Sequence, residues 1–142
     1  MPRVRLIVLA LLMALLLTAC ALNKMSSAPQ HGRAELDHAE QDLAKGVKNY
    51  EEGDYNAAIG MLQHALIDGL KNKTDQARAY KYLAFIHCTS GREKQCSDAF
   101  KKALEANPDF DLEAAETGHP VWGPVFRNIK NISQYKNGPS VK

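Results

Sequence analysis

Apolar residues recur every three or four positions through the middle of the chain. Leu36, Ala39, Leu43, Val47 and Tyr50 form one helical stripe. Gly53-Asp54 ends it: glycine suits the left-handed turn that closes a helix, and Asp54 can cap the amides of the next. Ala58, Leu62, Ala65 and Leu66 continue the spacing to about Leu70. After the break Asn72-Lys73-Thr74, with Thr74 as N-cap, the spacing predicts a third helix to about Thr89. Ser90-Gly91 breaks it. A fourth helix is expected from about Glu93 to Ala106, with Pro108 just beyond. The expected fold class is all-α, with the helical domain spanning 34–133 and a flexible tail over 134–142.

The two helix pairs superpose in sequence. Gly46, Gly53, Tyr55, Ala58, Leu62 and Ala65 match Ala84, Gly91, Glu93, Cys96, Phe100 and Ala103, each pair 38 positions apart. This resembles the tetratricopeptide repeat, a helix-turn-helix unit of about 34 residues, with extra residues between copies. The second copy follows the pattern well, in Tyr80, Leu83, Ala84, His87, Cys96, Phe100, Ala103 and Pro108. The first departs in its first helix. Asp42, Lys45 and Asn49 stand where large apolar residues are expected, one place before Leu43, Val47 and Tyr50. That helix is therefore either rotated or turns an apolar face outward. Gly46 and Ala84 are small where the helices of a hairpin cross, and are expected to face Ala58 and Cys96.

Two repeats leave apolar faces uncovered, and a third copy fails. Leu112–Glu116 reads as a short helix capped by Asp111, and Gly118-His119-Pro120 ends it. Pro124 then suits the first turn of a last helix, with Val125, Phe126, Ile129 and Ile132 on one face. The ordinary reading is a pair of capping helices with Trp122 and Phe126 as plugs. The alternative is a partner-docking surface centred on Trp122.

The amino-terminal segment has another character. MPRVR is basic, residues 6–17 are wholly apolar, and Thr18-Ala19-Cys20 follows. That is the layout of a secretory signal peptide over 1–19, too short to span a bilayer as a helix. Leu17-Thr18-Ala19-Cys20 resembles a bacterial lipobox. The resemblance implies cleavage before Cys20 and acylation of that residue by diacylglycerol and a further fatty chain such as palmitate. Two or more chains hold a protein stably on a bilayer. Ala21, rather than Asp, follows the cysteine, which in that pattern implies the outer membrane. Residues 20–33 read as a flexible tether, reaching roughly 20 Å as a coil.

Composition narrows the chemistry. The 142 residues allow one compact domain. The formal charge of +2 comes from 18 basic and 16 acidic residues, and removing Arg3 and Arg5 leaves 16 against 16. No basic footprint for nucleic acid remains. No nucleophile elbow, Walker loop or dinucleotide fingerprint is present. The five histidines, His31, His38, His64, His87 and His119, lack metal-ligand spacing. The expectation is a protein with no enzymatic activity, no cofactor, no metal and no small-molecule substrate. With Cys20 assigned to lipid, Cys88 and Cys96 remain, in an oxidising compartment if the chain is exported. They flank the second hairpin's turn. Either they form a disulfide contributing about 2.5 kcal/mol, or they are two free, buried core residues.

The whole combination resembles the TssQ-type lipoproteins associated with bacterial type VI secretion. It rests on the lipobox, the two hairpins and the run Glu116-x-Gly118-His119-Pro120-x-Trp122-Gly123-Pro124-Val125. The resemblance implies an outer-membrane lipoprotein facing the periplasm, held by its lipid and binding protein components of the secretion apparatus. A pilotin-like or envelope-assembly lipoprotein, or a regulator of a cell-wall enzyme, is the alternative. In the repeat pattern the first helices line a groove. Glu40, Leu43, Val47 and Tyr50 would meet Arg78, Lys81 and Phe85 there, a lining suited to an acidic, partly apolar peptide.

Overall fold

Helix α1 (His31–Glu51) starts slightly ahead of the expected boundary, with Gly32 in a first turn where amide partners are not yet required. The computed structural model describes residues 31–137, with side chains placed over 38–135. The expected signal peptide 1–19, Cys20 and most of the 20–33 tether lie outside the described residues. α2 (Tyr55–Asp68), α3 (Lys73–Thr89), α4 (Glu93–Ala106), the single turn α5 (Ala114–Thr117) and α6 (Gly123–Asn137) follow. The described domain is a tetratricopeptide-like stack of helical hairpins, all-α among the described residues.

The internal repeat is expressed in the backbone. α1 and α3 end 38 positions apart, and so do α2 and α4 at both of their ends. Both hairpin turns close in the same way. Gly53 N–H donates to Tyr50 O at 3.1 Å and Asp54 N–H to Asn49 O at 2.9 Å. Gly91 N–H donates to Cys88 O at 3.1 Å and Arg92 N–H to His87 O at 2.9 Å. This paired pattern needs a left-handed residue, and Gly53 (φ 82°) and Gly91 (φ 70°) supply it. Asp54 caps α2 by accepting from Ala57 N–H at 3.1 Å. The cap of α3 is Asn72 rather than Thr74: its Oδ1 accepts the Thr74 N–H at 2.8 Å.

α1 takes the rotated arrangement. Ala39, Leu43, Gly46 and Val47 are buried, and Asp42 turns toward Lys45, 3.0 Å away. Its close approach to α2 falls against Leu62 rather than Ala58. A Cβ on Gly46 would stand 2.7 Å from Leu62 Cγ. In the second hairpin α3 packs on α4, with Ala84, Cys96, Phe100 and Ala103 buried.

α6 packs on α4 where the next hairpin of a longer stack would begin. Phe126 meets Phe100 at 5.2 Å and Phe110 at 5.7 Å between ring centres. The short turn α5 begins two residues later than expected. Glu116, not Asp111, secures its start, by accepting the Glu113 N–H at 3.0 Å. Asp111 instead receives Lys130 at 2.6 Å. α6 runs on to Asn137, so the expected tail over 134–142 is helical for its first four residues. No helix breaker occurs before Gly138-Pro139.

Candidate functional site: the face of α1 and α3

Two hollows share Arg78. The first, about 350 Å³, lies between α1 and the start of α3. Leu43 and Val47 form its buried floor, and Glu40, Lys48, Glu51, Asp75 and Arg78 its rim. The second, about 390 Å³, is walled by Arg78, Lys81 and Tyr82 of α3 and by the chain from Asn107 to Glu113. Tyr50 stands half-buried on this face, its ring 4.9 Å from Tyr82 and 5.7 Å from Tyr55. Burial, and then the neighbouring tyrosines and Glu116, push its hydroxyl pKa above the ordinary phenol value.

The predicted groove residues separate into two groups. Tyr50 and Arg78 are available, with Glu40, Leu43 and Val47 beside them. Lys81, Phe85 and Trp122 are not open docking residues, because the chain itself covers them. Lys81 is 7% exposed, and its Nζ lies 2.6 Å from Glu116 Oε1. Phe85 is 2% exposed and stacks on Trp122 at 4.2 Å between ring centres. Trp122 is sandwiched in turn by His119, and its Nε1 donates to Glu116 O at 3.0 Å. Thus the segment after α4, which fails as a third repeat, folds over the inner end of α3. This makes Trp122 the expected plug and not an exposed anchor.

The same fold-back changes the electrostatics. The ammonium of Lys81 is neutralised by Glu116, which leaves Arg78 as the cation that α3 offers on the inner half of this face. The first hollow carries Glu40, Glu51 and Asp75 against Lys48 and Arg78. The expected preference for an acidic peptide is therefore replaced by a mixed rim with a slight acidic excess. Glu116 and His119 join this face without having been expected there, although both stand in or beside the Gly118-His119-Pro120 signature that sets this segment apart. Tyr82 has no sequence signal beyond its place on α3.

At the end of α3, Cys88 and Cys96 are bonded across the Gly91 turn, with Cα atoms 5.0 Å apart. His87 beside them has a buried Nδ1 with no hydrogen-bond partner among the described residues. Burial, helped by the Arg92 charge, lowers its pKa below the ordinary imidazole value. Among the described residues no group of three or more His, Cys, Asp or Glu side chains converges as metal ligands would.

The chain is 33% identical over 82 residues to the Photosystem I assembly protein Ycf3 of Synechococcus sp. (strain CC9605). The match covers 56% of this chain and 47% of the cyanobacterial protein, so the chain spans about half the length of that curated relative. No protein-family profile matches the chain, and no solved structure matches it.

Proposed function

We propose that this protein is a non-enzymatic adaptor that holds a segment of a partner protein on the α1–α3 face. The observation that carries this reading is the first hollow: an apolar floor of Leu43 and Val47 inside a charged rim, on a repeat scaffold whose first helices line it. Its mixed, slightly acidic rim fits a segment with apolar residues and at least one cation. The similarity to a protein named for assembly supports a role in building a complex.

In this reading the adaptor is a lipoprotein. Signal peptidase cleaves before Cys20, the acyl chains hold it at the outer membrane, and the repeats work in the periplasm. The Leu17–Cys20 pattern supports this anchoring, and Glu116–Val125 supports a TssQ-type role accessory to type VI secretion. Because the cyanobacterial relative is named for the assembly of a different complex, a second reading is also favoured, an envelope-assembly lipoprotein of another machine.

One experiment addresses both. A photo-crosslinking amino acid is placed at Glu40 or Arg78 in living cells, and the products are identified by mass spectrometry. Subunits of the type VI apparatus are the expected products. Products drawn only from another envelope machine support the second reading, and no products from cells expressing the apparatus would refute the adaptor role of this face. The anchor is tested separately: Cys20→Ala is expected to release the protein from membranes, and firm retention contradicts lipidation.

A further inference from the structure

The apolar arc of α6 is wider than the domain beneath it uses. Phe126 and Ile129 face the core. A second stripe, Val121, Val125, Asn128, Ile132 and Tyr135, runs beside it at spacings of four and three. Helical hydrogen bonding reaches back to His119, through Gly123 N–H donating to His119 O at 3.0 Å, which brings Val121 into register. The stripe is open: Val121 and Ile132 are each 45% exposed and Tyr135 is 90% exposed. It borders a groove between α4 and α6, with hollows of about 420 Å³ near Val121 and about 120 Å³ near Ile132.

Alternation of four and three is the seam of a helix that packs along another helix. Two features identify the other helix as α6 of a second copy. The stripe reads alike from both ends around Asn128, with apolar residues seven positions away on either side and again three or four away. Antiparallel packing sets Val121 against Tyr135 of the second copy and Val125 against its Ile132. The charges on α4 obey the same symmetry. Ser97 lines the hollow that Asn128 lines, and Glu93 and Lys101 lie four residues to either side of Ser97. A two-fold axis near Ser97 and Asn128 therefore faces each Glu93 with a Lys101, twice. We propose that the protein forms a symmetric dimer through antiparallel α6 helices, with Asn128 on the axis. A self-matching patch with complementary charges is what a closed two-fold interface requires.

The test uses the full chain in detergent. Light scattering and sedimentation are expected to report twice the chain mass. A photo-crosslinker at Asn128 should give a covalent dimer, and one at Gln134, on the polar face of α6, should not. Ile132→Glu should weaken the dimer about tenfold or more, the loss of one buried isoleucine per chain. Glu93→Lys should weaken it too, and Glu93→Lys with Lys101→Glu should restore it. The last comparison separates the interface from folding, because both residues are exposed and the pair of Lys101 with Asp98 of its own helix, 3.5 Å away, is lost in Lys101→Glu and not regained by Glu93→Lys. A monomer at all concentrations overturns the proposal. So does a dimer indifferent to Ile132→Glu, or an Asn128 crosslink that captures only a different protein.

Discussion

Lys81 Nζ lies 2.6 Å from a carboxylate oxygen of Glu116, so the inner face of this domain carries its own acidic occupant. The lysine also stands 4.8 Å from the centre of the Tyr82 ring and 5.6 Å from that of Phe85. Glu116 also accepts the Glu113 N–H on its carboxylate and the Trp122 Nε1–H on its backbone carbonyl, each at 3.0 Å. One ion pair thus organises the fold-back segment.

Removing one partner of such a pair leaves the other without compensation. The Glu116 side chain keeps 19% of its surface in water, which softens the penalty. Lys81→Ala is expected to destabilise the domain by about 2–3 kcal/mol, and Lys81→Met with Glu116→Leu to recover most of that. Urea denaturation of the single and double variants checks the cycle. A loss in the double variant equal to the sum of the losses from Lys81→Met and Glu116→Leu singly would mean the pair contributes nothing beyond packing.

Gly46 and Gly60 make opposite predictions. A Cβ at Gly46 meets Leu62 Cγ at 2.7 Å and Leu62 N at 3.1 Å, and one at Gly60 meets nothing within 4 Å. Gly46→Ala is expected to lower stability by about 1 kcal/mol, since overpacking outweighs the gain in helix propensity. Gly60→Ala is expected to raise it by about 0.5–1 kcal/mol. Thermal melts of the two variants should move in opposite directions.

The bond between Cys88 and Cys96 closes a loop with a sequence separation of 8. Reduction is expected to lower stability by about 2.5 kcal/mol, through the larger entropy of the opened chain. The urea midpoint with and without a reductant gives the comparison, and Cys88→Ser with Cys96→Ser should match the reduced protein. An unchanged midpoint would remove the bond from the account of stability.

His87 predicts a pH dependence. Its pKa in the fold lies below the ordinary imidazole value, so the unfolded chain binds its proton first as pH falls. The stability it contributes is full above about pH 6.5 and is lost as pH drops from there through the folded pKa. His87→Gln is expected to flatten the stability curve between about pH 7 and pH 5. Asp111, held low by the hydrogen bond from Lys130, acts in the same direction only within the more acidic carboxylate range.

Much of the architecture is legible in the sequence because it lies in local patterns. The offset of 38 predicts both hairpins, their glycine turns and the Asp54 cap, and each of these depends on neighbours within five residues. What is not legible depends on long-range packing. Nothing near Lys81 or Phe85 announces that Glu116 and Trp122 come back to cover them, so a groove inferred from the repeat pattern is too large and too basic. Gly46 marks a close approach, but its partner shifts to Leu62 because α1 is rotated about its axis. Thr74 loses the cap to Asn72 by two positions, a choice between two residues equally able to accept an amide. The last helix reads as too short because Tyr135 is the one apolar residue between Ser133 and Asn137, while no helix breaker occurs before Gly138-Pro139.

Because α6 packs on α4 where a third hairpin would begin, and the fold-back from Glu113 to Trp122 covers the inner end of α3, no further hairpin joins this side of the stack among the described residues. The α1–α3 face is thereby bounded on that side by Glu116 and Trp122. Under the proposed adaptor role, that boundary sets a ratio of one partner segment per domain.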